Sequence, residues 1–207
     1  MTAIKERPIL FSAPMVRAIL DGRKTVTRRP VKGSALKWLE EFVPEFVALS
    51  ANELCPFGQI GDRLYVRETF NRTNPGGAEG VFYYRADGEF PKSIGGGKFT
   101  GAESWKPSIH MPREASRILL EITNVRVERL QDGEGETAFE SRYVAEGINR
   151  THQGDGENAF HPFKSEPGPG NWTDPFDAWR ELWVSVNGSD SWNANPWVWV
   201  VEFKRVD

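Results

Sequence analysis

The densest group of chemically reactive side chains lies in the segment Gly22–Arg29, GRKTVTRR. Within these eight residues the chain carries one lysine, two threonine hydroxyls and three arginine guanidiniums. A lysine that is desolvated or lies near other cations can lose its proton near neutral pH and act as a base. A threonine hydroxyl beside it can then attack a carbonyl carbon. The alternative interpretation is that the segment is the solvated basic edge of a hairpin.

Cooperation between Lys24 and Thr27 depends on where the predicted strand begins. In an extended strand, residues i and i+3 point to opposite faces. Lys24 and Thr27 therefore converge only if Lys24 still lies in the turn that follows Gly22. If the strand begins earlier, Thr25 is the hydroxyl that shares a face with Thr27, and Lys24 is opposed to both.

Other common catalytic signatures are missing from the sequence. It contains no Gly-x-Ser-x-Gly, no Walker A loop, no GxGxxG and no HExxH. The three histidines (His110, His152 and His161) are scattered, and the single cysteine, Cys55, can form neither an internal disulfide nor a multi-cysteine zinc site. We therefore expect a site without a metal and without any other cofactor.

The run Ile19–Arg29, ILDGRKTVTRR, resembles the signature of ASCH-domain proteins. It is particularly similar to the small N4-acetylcytidine amidohydrolases of that superfamily, which carry Gly-Arg-Lys-Thr-x-Thr-x-Arg after a short helix. Four further runs resemble the longer ASCH proteins of phage and prophage genomes, so that this likeness covers nearly the whole chain. These runs are 61–68 (GDRLYVRE), 105–113 (WKPSIHMPR), 145–148 (AEGI) and 195–203 (NPWVWVVEF).

The resemblance implies a PUA-like antiparallel β-barrel with a cleft for a nucleoside or a nucleic acid. In the small amidohydrolases a lysine, a threonine and a glutamate are implicated in hydrolysing the acyl amide. The lysine and threonine correspond to Lys24 and Thr27, and the glutamate corresponds best to Glu146, with Glu68 in reserve. Thr27, or a water that it holds, would attack the acyl carbon. Lys24 would act either as the base or as the cation that stabilises the oxyanion.

The resemblance also indicates which residues contact the substrate. Ser108, His110 and the arginines nearby would line the cleft, and Trp105 would stack on a base. The structural alternative is that Pro107 and Pro112 bracket a rigid loop and that the indole is simply packed. The complete set of expected substrate contacts is Arg23, Thr25, Arg29, Glu68, Trp105, Ser108, His110, Arg113 and Arg117.

Two classes of function follow from these residues. The first is an amidohydrolase that removes an acyl group from N4 of cytidine or a related nucleoside. The second is an ASCH module that binds RNA or a modified nucleotide without turnover, and a ribonuclease is a third, weaker option. The chain is about twice the size of the small amidohydrolases, and its insertions at about 33–57, 71–115 and 149–195 would reshape or block the pocket.

The elements that must position these residues are predicted from periodicity and from capping residues. Strands are expected at 7–11, 63–68, 80–86, 116–130 and 196–204, with an extended segment over 23–30. Helices are expected at 12–22, at 35–49 with a break at Pro44, at 134–146 and at 174–187, and a long loop at 151–172. Segment 80–86 is predicted to pair with 63–68 as a hairpin. Because the helices lie between strands without a regular βαβ rhythm, we expect a single α+β domain over residues 1–207.

Composition and charge limit the classes of protein to which this chain can belong. The chain has 207 residues, a formal net charge of −3 and eight tryptophans, of which those at 179 and 183 fit the buried face of a helix. Residues 1–32 carry eight of the Lys and Arg residues against two acidic ones, which indicates a local contact with an anion such as a phosphate. No apolar stretch is long enough to span a membrane, and no secretory signal precedes the domain, so we expect a cytoplasmic protein.

Overall fold

The computed structural model describes residues 3–73, 80–89, 93–94, 97–98, 104–132, 142–154, 156–164 and 168–206. Within these ranges the strands are β1 (Glu6–Leu10), β2 (Val26–Pro30), β3 (Arg63–Arg67), β4 (Phe70–Thr73), β5 (Val81–Tyr84), β6 (Ser93–Ile94), β7 (Gly97–Lys98), β8 (Leu119–Arg129), β9 (Asn149–His152), β10 (Asn158–His161) and β11 (Trp197–Val206). The helices are α1 (Ala13–Leu20), α2 (Gly33–Trp38), α3 (Pro44–Val47) and α4 (Pro175–Asn187).

A five-stranded sheet in the order β1-β3-β8-β11-β2 organises the fold. The β1–β3 pair is parallel and the three other pairs are antiparallel. The four consecutive residues Val198–Val201 of β11 are all buried. Because successive side chains of a strand point to opposite faces, both faces of the sheet are covered at β11.

The prediction of a mixed α+β fold is confirmed, but the arrangement of its sheet differs from expectation. In the described residues the sheet has two edges, β1 and β2, and does not close into a barrel. Its parallel β1–β3 pair was not expected from an antiparallel sheet. That pair is possible because more than fifty residues separate the strands along the chain, and parallel neighbours need a long crossover connection.

The predicted hairpin between 63–68 and 80–86 is wrong. Strand β5 pairs with β4, with Phe70 opposite Tyr84, whereas β3 pairs with β1 and β8. The alternation that predicts a strand says which residues share a face but not which strand lies beside it. The partner of β5 is the short strand β4, which only residues 68–69 separate from β3. The sequence analysis did not predict β4.

Most of the predicted helices are present. Helix α1 buries Met15, Val16, Ala18 and Ile19, and the break at Pro44 separates α2 from α3. Helix α4 begins as predicted, because Oδ1 of Asp174 accepts a hydrogen bond of 2.8 Å from the amide of Phe176.

Two predictions in the second half of the chain need correction or lie outside the structure. The stretch predicted as a loop at 151–172 includes the end of β9 and the whole of β10, which pair as a hairpin. Of the helix predicted at 134–146, residues 134–141 lie outside the described residues, and 144–146 form a single 3-10 turn. No helix among the described residues is long and apolar enough to cross a membrane.

Candidate active site

A cavity of about 930 Å³ opens beside the edge strand β2. This volume lies in the upper part of the range of roughly 300–1,000 Å³ that is typical of small-molecule sites. Its walls come from the start of α1, the segment from Lys24 to Gly33, the loop at 54–57 and the inner face of α4. The polar and charged side chains that line it are Ser12, Lys24, Thr27, Arg28, Arg29, Lys32, Thr69, Ser108, Glu146 and Asn187.

Lys24 and Glu146 form a buried ion pair at this cavity. Their side chains are only 2% and 5% exposed, and Nζ of Lys24 lies 2.8 Å from Oε2 of Glu146. The same Nζ donates to the backbone carbonyl of Val26 at 2.7 Å and to that of Glu146 at 2.8 Å. An ammonium group has three protons, so each of them has its own acceptor in this arrangement.

The local backbone explains how Lys24 reaches this position. After α1 ends at Leu20, the chain turns at Gly22 with a φ of 72°, and the amide of Lys24 donates to the carbonyl of Ala18 at 2.9 Å. Strand β2 begins only at Val26, so Lys24 precedes it. The geometric condition for Lys24 and Thr27 to face one site is therefore met.

The turn that carries Glu146 packs tightly against Lys24. Gly147 has a φ of 99°, and a Cβ at this position would lie 3.0 Å from Cβ of Ala18 and 3.3 Å from Cβ of Lys24. Glycine is the residue that tolerates both the positive φ and the close approach. The Ala145–Gly147 turn can therefore place the Glu146 carboxylate directly on the lysine.

Burial and the neighbouring charges act on Lys24 in opposite directions. Removal from water lowers the pKa of Lys24 below its ordinary value, and the nearby Arg29 and Arg28 lower it further. The attraction and the hydrogen bond of Glu146 oppose this effect. Burial prevails, which eases the transfer of a proton from Nζ to the carboxylate beside it.

Arg28 is a central member of the site that the sequence analysis did not select. Its Nη1 donates to Oε1 of Glu146 at 3.1 Å, and its Nε donates to Oε1 of Glu128 at 2.9 Å. The guanidinium also lies 5.4 Å from the ring centres of Tyr143 and Trp179. The sequence offered one signal that Arg28 belongs to the site, which is its position in the basic segment. Its carboxylate partners, however, lie a hundred or more positions away along the chain.

Thr27 and Arg29 share the other face of β2. Among the described residues, the Thr27 hydroxyl makes no hydrogen bond, although the side chain lines the cavity and is 97% covered overall. Arg29 donates from Nη2 to the carbonyl of Leu10 at 2.7 Å, and its guanidinium lies 5.3 Å from the centre of the Phe11 ring. Because β2 is an edge strand, side chains from both of its faces reach the same cavity.

Of the other expected substrate contacts, the structure brings only Ser108 to the cavity. Arg23 instead donates to the carbonyl of Gly147 at 3.1 Å and pairs with Asp21, so it braces the turn from outside. Thr25 is exposed, and its backbone links the Glu146 turn to β11. The roles of Arg23 and Thr25 toward a substrate remain predictions.

Glu68 and Arg117 form a second ion pair, away from the cavity walls. Arg117 donates from Nε and Nη2 to the Glu68 carboxylate at 2.9 and 3.1 Å, and it also holds Asp87 through two hydrogen bonds of 2.8 Å. Glu68, the reserve candidate for the third catalytic group, is thus paired with Arg117. Of the two glutamates, Glu146 is the one that contacts Lys24.

The remaining three expected contacts also lie outside the cavity lining. Arg113 pairs with Glu6 at 2.9 Å, and His110 is exposed in a 3-10 turn. The Trp105 ring lies 5.8 Å from the guanidinium of Arg85. The structure therefore does not bring these side chains to Lys24 and Thr27.

Aromatic side chains form much of the cavity wall, and the sequence analysis had placed two of them, Trp179 and Trp183, on the buried face of a helix. Trp179, Trp183 and Trp199 are each less than 5% exposed, yet all three line the cavity. Phe11 and Phe57 complete the aromatic lining. Helical spacing correctly predicted that Trp179 and Trp183 are buried. Only the tertiary fold shows that these two indoles also border an open volume.

Comparison with protein-family models gave no match, and comparisons with curated proteins and with solved structures gave no significant match. The described residues contain no group of three or more His, Cys, Asp or Glu side chains that could hold a metal ion. The likeness to ASCH proteins accordingly rests on the sequence motifs.

Proposed function

We propose that this protein is an amidohydrolase that cleaves the N4-acyl amide of N4-acetylcytidine or a related N4-acylated cytosine nucleoside. The observation that carries the proposal is the convergence of the buried Lys24–Glu146 pair and the Thr27 hydroxyl on one cavity. Amide hydrolysis needs a nucleophile, a base that activates it and an acid for the departing amine. These three side chains supply the three roles.

The proposed reaction begins with proton transfer over 2.8 Å from Nζ of Lys24 to Oε2 of Glu146. The neutral amine of Lys24 takes the proton from the Thr27 hydroxyl, or from a water that Thr27 holds, as the oxygen adds to the acyl carbon. The Glu146 carboxylic acid then gives its proton to N4 as the C–N bond breaks. The amine of cytidine departs, and the lysine is again an ammonium facing a carboxylate.

If Thr27 itself attacks, the acyl group is first bound to its Oγ. A water then adds to this ester with the same base, and the carboxylic acid departs while the hydroxyl is restored. The cavity volume and its aromatic walls suit a planar base, which can stack on the indoles or on Phe11 or Phe57. With this function we also propose that the chain is a single ASCH-like domain related to the PUA-like barrels.

A binding module without turnover is the second candidate function, and one observation favours it. All three protons of the Lys24 ammonium have acceptors in the protein. A fully bonded ion pair of this kind can hold the fold together without taking part in a reaction. The cavity would then bind RNA or a modified nucleotide through its cations and aromatic side chains.

The test is to incubate the purified protein with N4-acetylcytidine and to follow cytidine release. We expect turnover by the wild type and a loss of about 100-fold or more in kcat for Thr27→Val and Lys24→Met. Thr123→Val, which makes the same change at an exposed position on β8, should retain activity. No turnover over a panel of N4-acyl cytidines would contradict the proposal and favour the binding module.

A further inference from the structure

The cavity is positively charged although the whole chain carries a formal charge of −3. The charged residues that line it are Lys24, Arg28, Arg29, Lys32 and Glu146, so four cations face one carboxylate. All four cations come from a single segment of nine residues. The local excess of positive charge is therefore built by β2 and the residues that flank it.

Two of these cations are compensated within the protein. Lys24 and Arg28 share the Glu146 carboxylate, and Arg28 also pairs with Glu128. Arg29 and Lys32 are different. Within the described structure, neither has a carboxylate within ion-pair distance.

Arg29 is the more informative of the two because it is half-buried, whereas Lys32 is exposed. Its neighbours are a backbone carbonyl, at Leu10, and the ring of Phe11, and its Nε is buried without a hydrogen-bond partner in the described part of the chain. An arginine keeps its charge at any physiological pH. Burial lowers the pKa of Arg29, and the attraction of the more distant Glu146 opposes this only in part. A partly desolvated charge without a directly bonded counter-charge is unfavourable, and an anionic ligand would reduce this cost.

We propose that the cavity binds a phosphate-bearing ligand, with the phosphate held by Arg29 and Lys32. Guanidinium groups bind phosphate oxygens through paired hydrogen bonds. Lys32, which is exposed at the rim, would add a second cation. The Ser12 and Ser108 hydroxyls line the same cavity and are available as further donors.

This inference rests on the proposed function, from which the choice of a cytosine base is taken, and it specifies the class of substrate further. The substrate would be an N4-acylated cytidine nucleotide rather than the uncharged nucleoside. The phosphate could belong to a free nucleotide or to the backbone of a short RNA.

The test is equilibrium binding, measured by calorimetry with the purified full chain, of cytidine, cytidine 5′-monophosphate and a five-residue cytidine oligonucleotide. We expect the wild type to bind the monophosphate at least tenfold more tightly than cytidine. Arg29→Gln should abolish that ratio by weakening the binding of the monophosphate. Arg29→Lys, which keeps the charge, should retain part of the preference for the monophosphate over cytidine.

Arg129→Gln is the matched control. Arg129 also lies over an aromatic ring, 4.1 Å from the centre of Trp197, and also donates to a backbone carbonyl, that of Asn195 at 3.1 Å. It is exposed and does not line the cavity. This variant removes the same charge and should leave the tenfold ratio unchanged. Thermal unfolding of each variant shows whether the chain remains folded.

Comparison of the three ligands distinguishes a free nucleotide from RNA as the source of the phosphate. It also tests this inference independently of the enzymatic proposal. Tighter binding of the oligonucleotide than of the monophosphate, with a steeper salt dependence, would assign the phosphate to RNA. Equal affinity for cytidine and its monophosphate, no binding of either, or an unchanged ratio in folded Arg29→Gln would overturn the inference. Because none of these ligands carries an acyl group, the result does not depend on turnover. Hydrolysis of N4-acetylcytidine without any preference for phosphate would leave the enzymatic proposal standing alone.

Discussion

The Glu146 carboxylate uses its two oxygens for two different cations. Oε2 accepts from Lys24 at 2.8 Å, and Oε1 accepts from Arg28 at 3.1 Å. Arg28 has a second carboxylate in Glu128, whereas Lys24 depends on Glu146 and on backbone carbonyls. Removal of Glu146 therefore leaves more charge uncompensated than removal of Lys24.

We predict that Glu146→Leu destabilises the fold more than Lys24→Met. Breaking a buried pair by removing one partner typically costs about 3–5 kcal/mol, and we expect Glu146→Leu to lower the free energy of unfolding by this amount. Lys24→Met should cost less, because the carboxylate remains paired with Arg28. Denaturation in urea measures the free energy of unfolding of both variants.

The double variant, Lys24→Met with Glu146→Leu, provides the control for this comparison. It should be no less stable than Glu146→Leu alone, because the lysine left without a carboxylate is then also removed. A larger loss for Lys24→Met than for Glu146→Leu would contradict the assignment of Glu146 as the shared partner.

At the scale of elements, three connections fix the position of the site. Helix α1 ends at Leu20 and turns through Gly22, β2 starts only at Val26, and the 144–146 turn packs on both. The amide of Thr25 donates to the carbonyl of Ala145 at 2.9 Å, so the turn is attached to the segment it faces. The contact between lysine and glutamate thus depends on the backbone of a short turn rather than on a long helix.

We predict that Gly147→Ala disturbs the site as well as the fold. A non-glycine residue at a positive φ costs on the order of 1–3 kcal/mol, and the added Cβ would also press on Ala18 and Lys24. We expect a loss in unfolding free energy of about 2 kcal/mol or more, together with reduced ligand binding at the cavity.

Gly61→Ala separates the backbone strain from the steric contact. Gly61 has a similar φ of 88°, but a Cβ there would have no heavy atom within 4 Å. We expect this variant to lose stability without losing ligand affinity. Equal effects of the two substitutions on binding would show that the close packing of Gly147 on Lys24 has no role at the site.

At the scale of the whole molecule, the site is one end of a charge network that crosses the sheet. Arg28 on β2 pairs with Glu128 on β8, and β11 lies between these strands. Glu128 also accepts from Arg126 at 3.0 Å and from Arg142 at 3.2 Å. The network therefore ties together residues that are far apart along the chain.

This network predicts the response of the protein to acid. Burial raises the pKa of the Glu128 carboxyl, but attraction to Arg28 and Arg126 outweighs burial and leaves its pKa below the ordinary value of 4.5. A carboxyl whose pKa is lowered by folding stabilises the protein above its unfolded pKa, and this stabilisation is lost as the pH falls through the folded pKa. We expect the free energy of unfolding to decrease as the pH is lowered from about 4.5.

Denaturation of Glu128→Gln as a function of pH checks this prediction. The variant should be less stable than the wild type near neutral pH and should depend less on pH below 4.5. Glu121→Gln, which removes the carboxyl of a more exposed pair with Lys204, should keep the acid response of the wild type. An unchanged acid profile in Glu128→Gln would exclude Glu128 as its source.

The sequence alone predicted most of the local elements and five of the residues that line the cavity, which are Lys24, Thr27, Arg29, Ser108 and Glu146. Pro14 and Gly22 bound α1, Pro44 divides the following helix, and Asp174 caps α4, because these signals act through neighbouring backbone atoms. The motif at 22–29 pointed to Lys24 and Thr27, and its family resemblance pointed to Glu146. Period-two alternation found most of the long strands, since it reports which residues share a buried face.

The tertiary structure decided what no local pattern contains. It paired β1 with β3 in parallel, placed β5 against β4, and left Trp105 outside the cavity that Trp179, Trp183 and Trp199 line. It also joined Arg28 to Glu146 and Glu128. Among the described residues, it left Arg29 without a carboxylate at ion-pair distance. Strand partners, cavity walls and uncompensated charges depend on contacts between residues far apart in the chain, and those contacts are chosen only when the whole core packs.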